Sequence, residues 1–332
     1  MGTLKPRLAA RVVGMGSIGT RYARVMAKMD MDVRAMPLSS RQRSLTLPSN
    51  VQIEVEGDEA LPHVEFTVIA SQTKRHIRDA VTFGHRSSRT LVEKPIATNF
   101  AELGSIDAGL QSSIFVSAPL KAMEGFATAR DLIDGLGLVR SVRIQSHSWL
   151  PDWRPDQNFR TSYSVDPTQG GVLRDLIHEI DYAVTLFGIP SSIKANLTTN
   201  PDLGLSVETR AEMEWRYSDF SLEMSLDFGS RSQQRFLLVV GSDGVLLWDV
   251  LATLVEVRDV DGKRRFVRWH PQDMVRDDVV RRQLSLVFQP ARDFRTTDVN
   301  QGAMHVLLCD LARTSSDAGG VPITVPSDGG LT

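Results

Sequence analysis

The sequence predicts an α/β protein of two domains: a parallel, doubly wound sheet towards the amino terminus, then a second α/β domain rich in strands. Three observations carry that prediction. An apolar strand at residues 8–13 runs directly into Gly14-Met15-Gly16-Ser17-Ile18-Gly19, and helical spacing follows at Ile18, Tyr22, Val25, Met26 and Met29. Strands and helices then alternate as far as Pro119, the pattern of a parallel sheet with crossover helices. Between residues 192 and 258 the reading changes to successive strands divided by turn residues, among them Ser242-Asp243-Gly244. A chain of 332 residues is too long for one ordinary core, and the expected division is 1–120 and 121–332.

The glycines of the first turn have separable tasks. Gly14 permits the tight turn, Gly16 lets a pyrophosphate approach the backbone, and Gly19 allows close helix-to-strand packing. Free N–H groups at the helix start, at Ser17 and Ile18, would hold the anion. A purely structural glycine turn is the alternative. The second strand, near residues 32–36, should end beside an adenosine ribose, where a carboxylate would accept from both hydroxyls. Here the strand end reads Pro37-Leu38-Ser39-Ser40-Arg41-Gln42-Arg43, while Asp30 and Asp32 come at the wrong end. Hydroxyls and guanidinium groups in place of an acid, notably Ser39, Ser40 and Arg41, predict NADP in preference to NAD; an ordinary basic loop is the competing reading.

A buried strand at residues 64–70 ends in Ser71-Gln72-Thr73, short polar residues at a carboxyl end, which in an open α/β sheet face the ligand crevice. The helix after it begins near Lys74. His76, in its first turn, is grouped with the cofactor side, although a lone imidazole there reads first as a packing or capping residue. The strand at 89–92 runs into Glu93-Lys94-Pro95, where proline fixes the backbone and could take a cis bond that aims a side chain. Residues 114–118 close this half.

Residues 170–188 read as one helix. Val172, Leu173, Leu176, Ile177, Ile180, Ala183, Val184 and Phe187 share an apolar arc, and Gly188 and Pro190 supply the stop. Asp175, His178 and Tyr182 fall on the opposite arc at spacings of three and four, which makes them neighbours. Taken alone, that row is the solvated side of an amphipathic helix. Gly170 and Gly171 before it would let another backbone or a ligand come close. Ahead of the helix, Trp149-Leu150-Pro151-Asp152-Trp153-Arg154-Pro155 forms a rigid aromatic loop, and Arg160 and Tyr163 extend it. Trp153, Arg154, Arg160 and Tyr163 are candidates for stacking on a sugar and pairing with an anion, or else a structural cover over the sheet. His270 lies in a polar connection and is expected to be exposed, and residues 301–314 form a helix with Met304, Leu307, Leu308 and Leu311 inward.

Composition excludes several classes. The net charge of -2 leaves no basic footprint for nucleic acid, and the richest apolar stretch, 236–257, is interrupted by Asp243, Asp249 and Glu256, so no membrane span is expected. A lone cysteine, Cys309, and the absence of a signal-type apolar core in residues 1–7 point to the cytoplasm. No metal-ligand spacing is present, and no metal is expected.

Taken in order, Gly14 to Gly19, Glu93-Lys94-Pro95, and Gly170-Gly171 leading to Asp175 and His178 resemble the glucose-fructose oxidoreductase / inositol dehydrogenase / MocA (Gfo/Idh/MocA) family. The resemblance implies an amino-terminal Rossmann domain and a carboxyl-terminal α/β domain with a large open, mainly antiparallel sheet, often the interface of a homodimer or homotetramer. It also implies that Lys94 is the catalytic lysine beside nicotinamide and substrate, with Asp175 and His178 an acid/base and orienting pair. Three departures stand out: Asp175 and His178 are three apart where the family more often has four, Leu120 to Phe126 lacks the usual Asn-x-Arg-Phe pattern, and Gln169 replaces the first glycine of a common triplet. The aromatic loop resembles a branch acting on unusual sugars of bacterial surface glycans, including sialic-acid-like ones, and a nucleotide-linked or sialic-acid-like sugar is within the expected substrate range.

The expected chemistry is reversible oxidation of a secondary alcohol on a sugar or polyol, with His178 as base, Asp175 orienting it and Lys94 polarising the oxygen. Redox-assisted elimination or hydrolysis with bound cofactor, and a non-catalytic dinucleotide-dependent sensor, are the alternatives.

Overall fold

The computed structural model describes residues 7–39, 47–57, 61–289 and 293–326. The chain divides into two compact units, one of Met1–Ser117 with Val280–Ala303, the other of Ala118–Val279 with Met304–Thr332. The sequence suggests one crossing near residue 120; instead, residues 280–303 return to the first unit.

In the first unit, β1 (Ala9–Val13) leads into α1 (Ser17–Lys28), followed by β2 (Asp32–Met36), β3 (Val51–Ile53), β4 (Val64–Ile69), α2 (His76–Gly84), β5 (Ser87–Val92), a short α3 (Ala108–Gln111) and β6 (Ile114–Val116). The strands lie in the order β6-β5-β4-β1-β2-β3, all parallel, and a two-residue strand at Thr297–Asp298 pairs antiparallel with β6. Near-continuous burial along β1 and β4 is what a parallel sheet covered on both faces requires. Strand order reverses at β1, with β2 on one side and β4 on the other, which opens a crevice at their carboxyl ends. One charge interrupts the apolar reading of β1. Arg11 is fully buried, its Nε donating to Glu54 Oε2 at 2.6 Å and Nη2 to Glu54 Oε1 and to the Pro62 carbonyl, so its desolvation is offset by three acceptors.

The second unit begins with α4 (Glu124–Ile133) and β7 (Val139–Trp149), then α5 (Val172–Asp175), α6 (Ile177–Phe187), β8 (Ser192–Thr198), β9 (Arg210–Arg216), β10 (Ser221–Asp227), β11 (Gly229–Gly241), β12 (Gly244–Asp249), β13 (Leu254–Asp259) and β14 (Arg264–Trp269). They form one sheet in the order β14-β13-β12-β11-β7-β10-β9-β8, with Ile323–Thr324 beyond β8; only β7 and β10 pair in parallel among the described residues. Alternating burial in β9 and β12 marks one covered face and one open face. Trp215, Trp248, Phe126, Ile180 and Leu222 fill the covered side.

The structure corrects three expectations. The predicted single helix over 170–188 is broken: Leu176 (φ -102°, ψ 30°) separates α5 from α6. Tyr182 does not join a polar row but is wholly buried against Phe126 and Trp248, and burial beside Glu179 pushes its phenol well above the ordinary range. His270, expected in solvent, is buried, with Nε2 3.1 Å from Thr128 Oγ1. Several elements escape the sequence pattern, among them β3, α3, α4, edge strand β14, whose arginines hide its alternation, and the helix Arg276–Phe288.

Candidate active site

The first unit gathers its candidates at the carboxyl ends of its strands. Gly14 has φ +89°, and a Cβ there would lie 2.7 Å from the Ala70 carbonyl oxygen and the Ser71 nitrogen. A Cβ on Gly19 would overlap the Gly14 carbonyl oxygen, so helix α1 packs on the turn only because that position is bare. Gly16 differs, since nothing lies within 4 Å of where its Cβ would point. It is the N-cap of α1, and it offers no side-chain cap to the first backbone N–H groups of that helix, which begins at Ser17. Ser71 Oγ is enclosed without a hydrogen-bond partner, next to an exposed Gln72 and a buried Thr73. An open glycine, an uncapped helix start and an orphaned hydroxyl form a cradle that fits a phosphate-bearing dinucleotide. Ser39 is exposed, whereas Ser40 and Arg41 lie outside the described residues.

Glu93, Lys94 and Pro95 follow β5, with a cis bond between Lys94 and Pro95. Glu93 Oε1 accepts from the buried Tyr22 hydroxyl at 2.8 Å, and Tyr22 accepts from Gln283 Nε2 at 2.8 Å. Burial and the neighbouring carboxylate push Tyr22 well above the usual phenol range, so it stays a donor. His76 lies among these groups with both ring nitrogens on carbonyls, Nδ1 2.7 Å from Pro95 O and Nε2 3.1 Å from Ser71 O. It is 1 % exposed, which argues against direct contact with a cofactor. Burial holds its imidazole below its ordinary pKa.

The second unit holds the other candidates. Asp175 ends α5, buried, and half-buried His178 opens α6 across the break at Leu176. The paired glycines do not make room for a ligand: a Cβ on Gly170 would overlap the Ser164 carbonyl, and one on Gly171 (φ +96°) the Glu208 carboxylate. The sequence also concealed charged neighbours. Asp181, one turn beyond His178, accepts from buried Lys121 Nζ at 2.9 Å, and His305 Nε2 is 3.6 Å away. Its i+3 spacing from His178 was a usable signal; Lys121 stands in the atypical 120–126 segment. Glu179 is fully buried in a bidentate pair with Arg235 of β11, at 2.6 and 3.0 Å, and nothing local announces a partner 56 residues away.

Of the loop candidates, half-buried Trp153 donates from Nε1 to Ser148 Oγ and sets its ring edge-on to Phe228. Arg154 lies over Tyr163 at 5.7 Å, and Arg160 over Phe159 while donating to the Leu203 carbonyl. Buried Cys309, its thiol pushed up to about 12 by burial, is no nucleophile at neutral pH. Among the described residues, no group of three or more histidine, cysteine or carboxylate side chains could hold a metal ion, and no helix is long and apolar enough to cross a membrane.

Residues 126–247 match the family model of the GFO/IDH/MocA C-terminal domain. No curated protein matches the chain. Among solved structures, the chain is similar to levoglucosan dehydrogenase in complex with NADH (16% identity, 97% of this chain and 100% of that one, TM-score 0.75). It is also similar to an inositol dehydrogenase homolog complexed with NAD+ from Azotobacter vinelandii (14%, 97% and 98%, TM-score 0.73). A third is the aldose-aldose oxidoreductase from Caulobacter crescentus (14%, 96% and 100%, TM-score 0.78). At these identities the likeness is one of fold. Residues 126–247 are thus matched to the C-terminal domain of the Gfo/Idh/MocA family, and the two-part fold is shared with these solved structures over nearly the whole chain.

Proposed function

We propose that the chain is an NAD(P)-dependent oxidoreductase interconverting a secondary alcohol and a ketone on a sugar, polyol or sugar derivative. The observation that carries the reading is the open side of Gly16 at the uncapped start of α1. Backbone N–H groups of Ser17, Ile18 and Gly19 would hold a pyrophosphate there, with Ser71, Gln72 and Thr73 as its expected flank. A bound nicotinamide supplies the hydride acceptor or donor. Lys94 donates from Nζ to the reacting oxygen, and His178 exchanges the hydroxyl proton while Asp175 orients its ring. Arg154, Arg160 and Tyr163 contact the substrate's polar rim.

NADP is the preferred form. No carboxylate follows β2 at residues 37–39, Asp30 is paired with Arg7 on the surface, and the Glu54 carboxylate is occupied by Arg11. The structures of levoglucosan dehydrogenase and of the inositol dehydrogenase homolog hold NADH and NAD+, so kcat/KM with each cofactor is the discriminating comparison; a strong NAD preference would refute this part. The active form is a homodimer or homotetramer joined through the open sheet face, where Phe236, Leu238, Val240, Val245 and Leu247 are only half-buried. Light scattering that finds a monomer would remove that element.

The decisive test is a screen of sugars, polyols and nucleotide sugars against both cofactors, read by nicotinamide absorbance. With an active substrate in hand, Lys94→Ala should lower kcat by about 1000-fold or more while cofactor affinity is retained. A Lys94→Ala protein that keeps its turnover contradicts a catalytic lysine. Cofactor that copurifies and cycles without net consumption would favour elimination or hydrolysis instead.

A further inference from the structure

Lys94 stands between two anchored neighbours. Upstream, Glu93 donates its N–H to the Ile69 carbonyl at 2.8 Å, and its carboxylate accepts from the Tyr22 hydroxyl and, at 3.3 Å, from the Lys94 N–H. Downstream, Pro95 has no N–H to give, so its carbonyl is the one backbone group through which this side can be held. His76 reaches it from the first turn of α2, with Nδ1 at 2.7 Å, and the imidazole is buried. A neutral imidazole has a single N–H, while both facing atoms are carbonyl oxygens. The shorter separation assigns that N–H to Nδ1, donating to Pro95. Burial keeps the ring neutral near pH 7, in line with one donor rather than two.

We propose that His76 is a positioning residue for Lys94: its Nδ1–H fixes the Pro95 carbonyl, and with it the direction in which the lysine side chain leaves the backbone. His76 therefore acts on the reaction without touching cofactor or substrate. The inference rests on the catalytic role proposed for Lys94, but its geometry can be tested apart from turnover.

Two substitutions divide the imidazole. In His76→Asn the amide nitrogen can occupy the place of Nδ1; in His76→Gln it can occupy that of Nε2. The full-length chain is reductively 13C-methylated, and the Lys94 resonance is assigned by its loss in Lys94→Met. His76→Asn should leave that resonance near its wild-type position, with and without added NADP. His76→Gln should move it towards the position of exposed lysines and, with a substrate from the screen, lower kcat about 10–100-fold with cofactor affinity within about threefold. Equal behaviour of the two variants, or a Lys94 resonance unmoved in His76→Gln, overturns the proposal. Should His76→Gln fail to fold, the 15N shifts of the wild-type ring decide: a proton on Nε2 rather than Nδ1 refutes it. A Lys94→Met protein that still turns over sinks the catalytic reading, while the resonance comparison still tests the clamp independently.

Discussion

Two helix starts in this chain carry glycine signals that look alike in sequence, at Gly14 to Gly19 and at Gly170-Gly171, yet the space beside them is used in opposite ways. At Gly16 the space is open. At Gly170 and Gly171 it is filled by the Ser164 carbonyl and the Glu208 carboxylate, which Arg313 holds at 2.7 Å. A glycine before a helix thus marks close approach, but whether the approaching group is a ligand or the protein itself depends on residues far off in the chain. The first loop contains both cases, since Gly19 is as tightly enclosed as Gly171.

The contrast can be broken most forcefully at Gly19. An added methyl must displace the Gly14 carbonyl, so Gly19→Ala should cost about 3 kcal/mol or more and abolish cofactor binding, read by denaturant unfolding and cofactor titration. Gly171→Ala combines a positive φ with overlap on Glu208 and should cost about 2–4 kcal/mol, yet leave the affinity of the remaining folded protein for cofactor unchanged. Adding Glu208→Ala should recover part of that loss; no recovery would mean the backbone angle alone is responsible. Gly16→Ala sharpens the comparison, because φ -72° suits alanine and no atom is in the way. Stability should change by about 0.5 kcal/mol or less while cofactor affinity falls about tenfold. Unchanged affinity there would remove the ligand reading of the open side.

The smallest effect is on pH dependence. Burial lowers the pKa of His76 and of His147, so their folded forms resist a proton that the unfolded chain accepts. Their contribution is fully present above the ordinary imidazole value, about 6.5, and is lost as pH falls through it towards the lower folded values. Thermal melts across that range should show a decline on acidification that is shallower in His76→Asn. An identical slope would mean the ring does not titrate between the two states.

What the sequence made legible follows from how local each cause is. Strand, turn and helix at residues 8–29 are neighbours along the chain, and so are the side chains their glycines must avoid. The break at Leu176 was hidden because the apolar positions Leu173, Leu176, Ile177 and Ile180 continue through it without interruption. Arg11 with Glu54 and Glu179 with Arg235 were illegible for another reason: each is a buried charge whose justification lies 43 or 56 residues away. Strand β14 was missed because an edge strand tolerates charge on both sides of its ladder; Arg264 and Arg265 reach Glu256 and Asp259.

The return of residues 280–303 to the first unit bears on how the protein is made. Phe288 packs on Phe66 with ring centroids 4.6 Å apart, Leu284 and Val287 enter the same core, and Gln283 supplies a bond to Tyr22. During vectorial synthesis the six parallel strands emerge long before these groups do. The first sheet must therefore wait on the ribosome, its Phe66 face uncovered, while strands β7 to β14 of the second sheet are translated. A fragment ending at residue 117 would remain in that unfinished state, whereas one with 280–303 grafted on would have the pieces to close it.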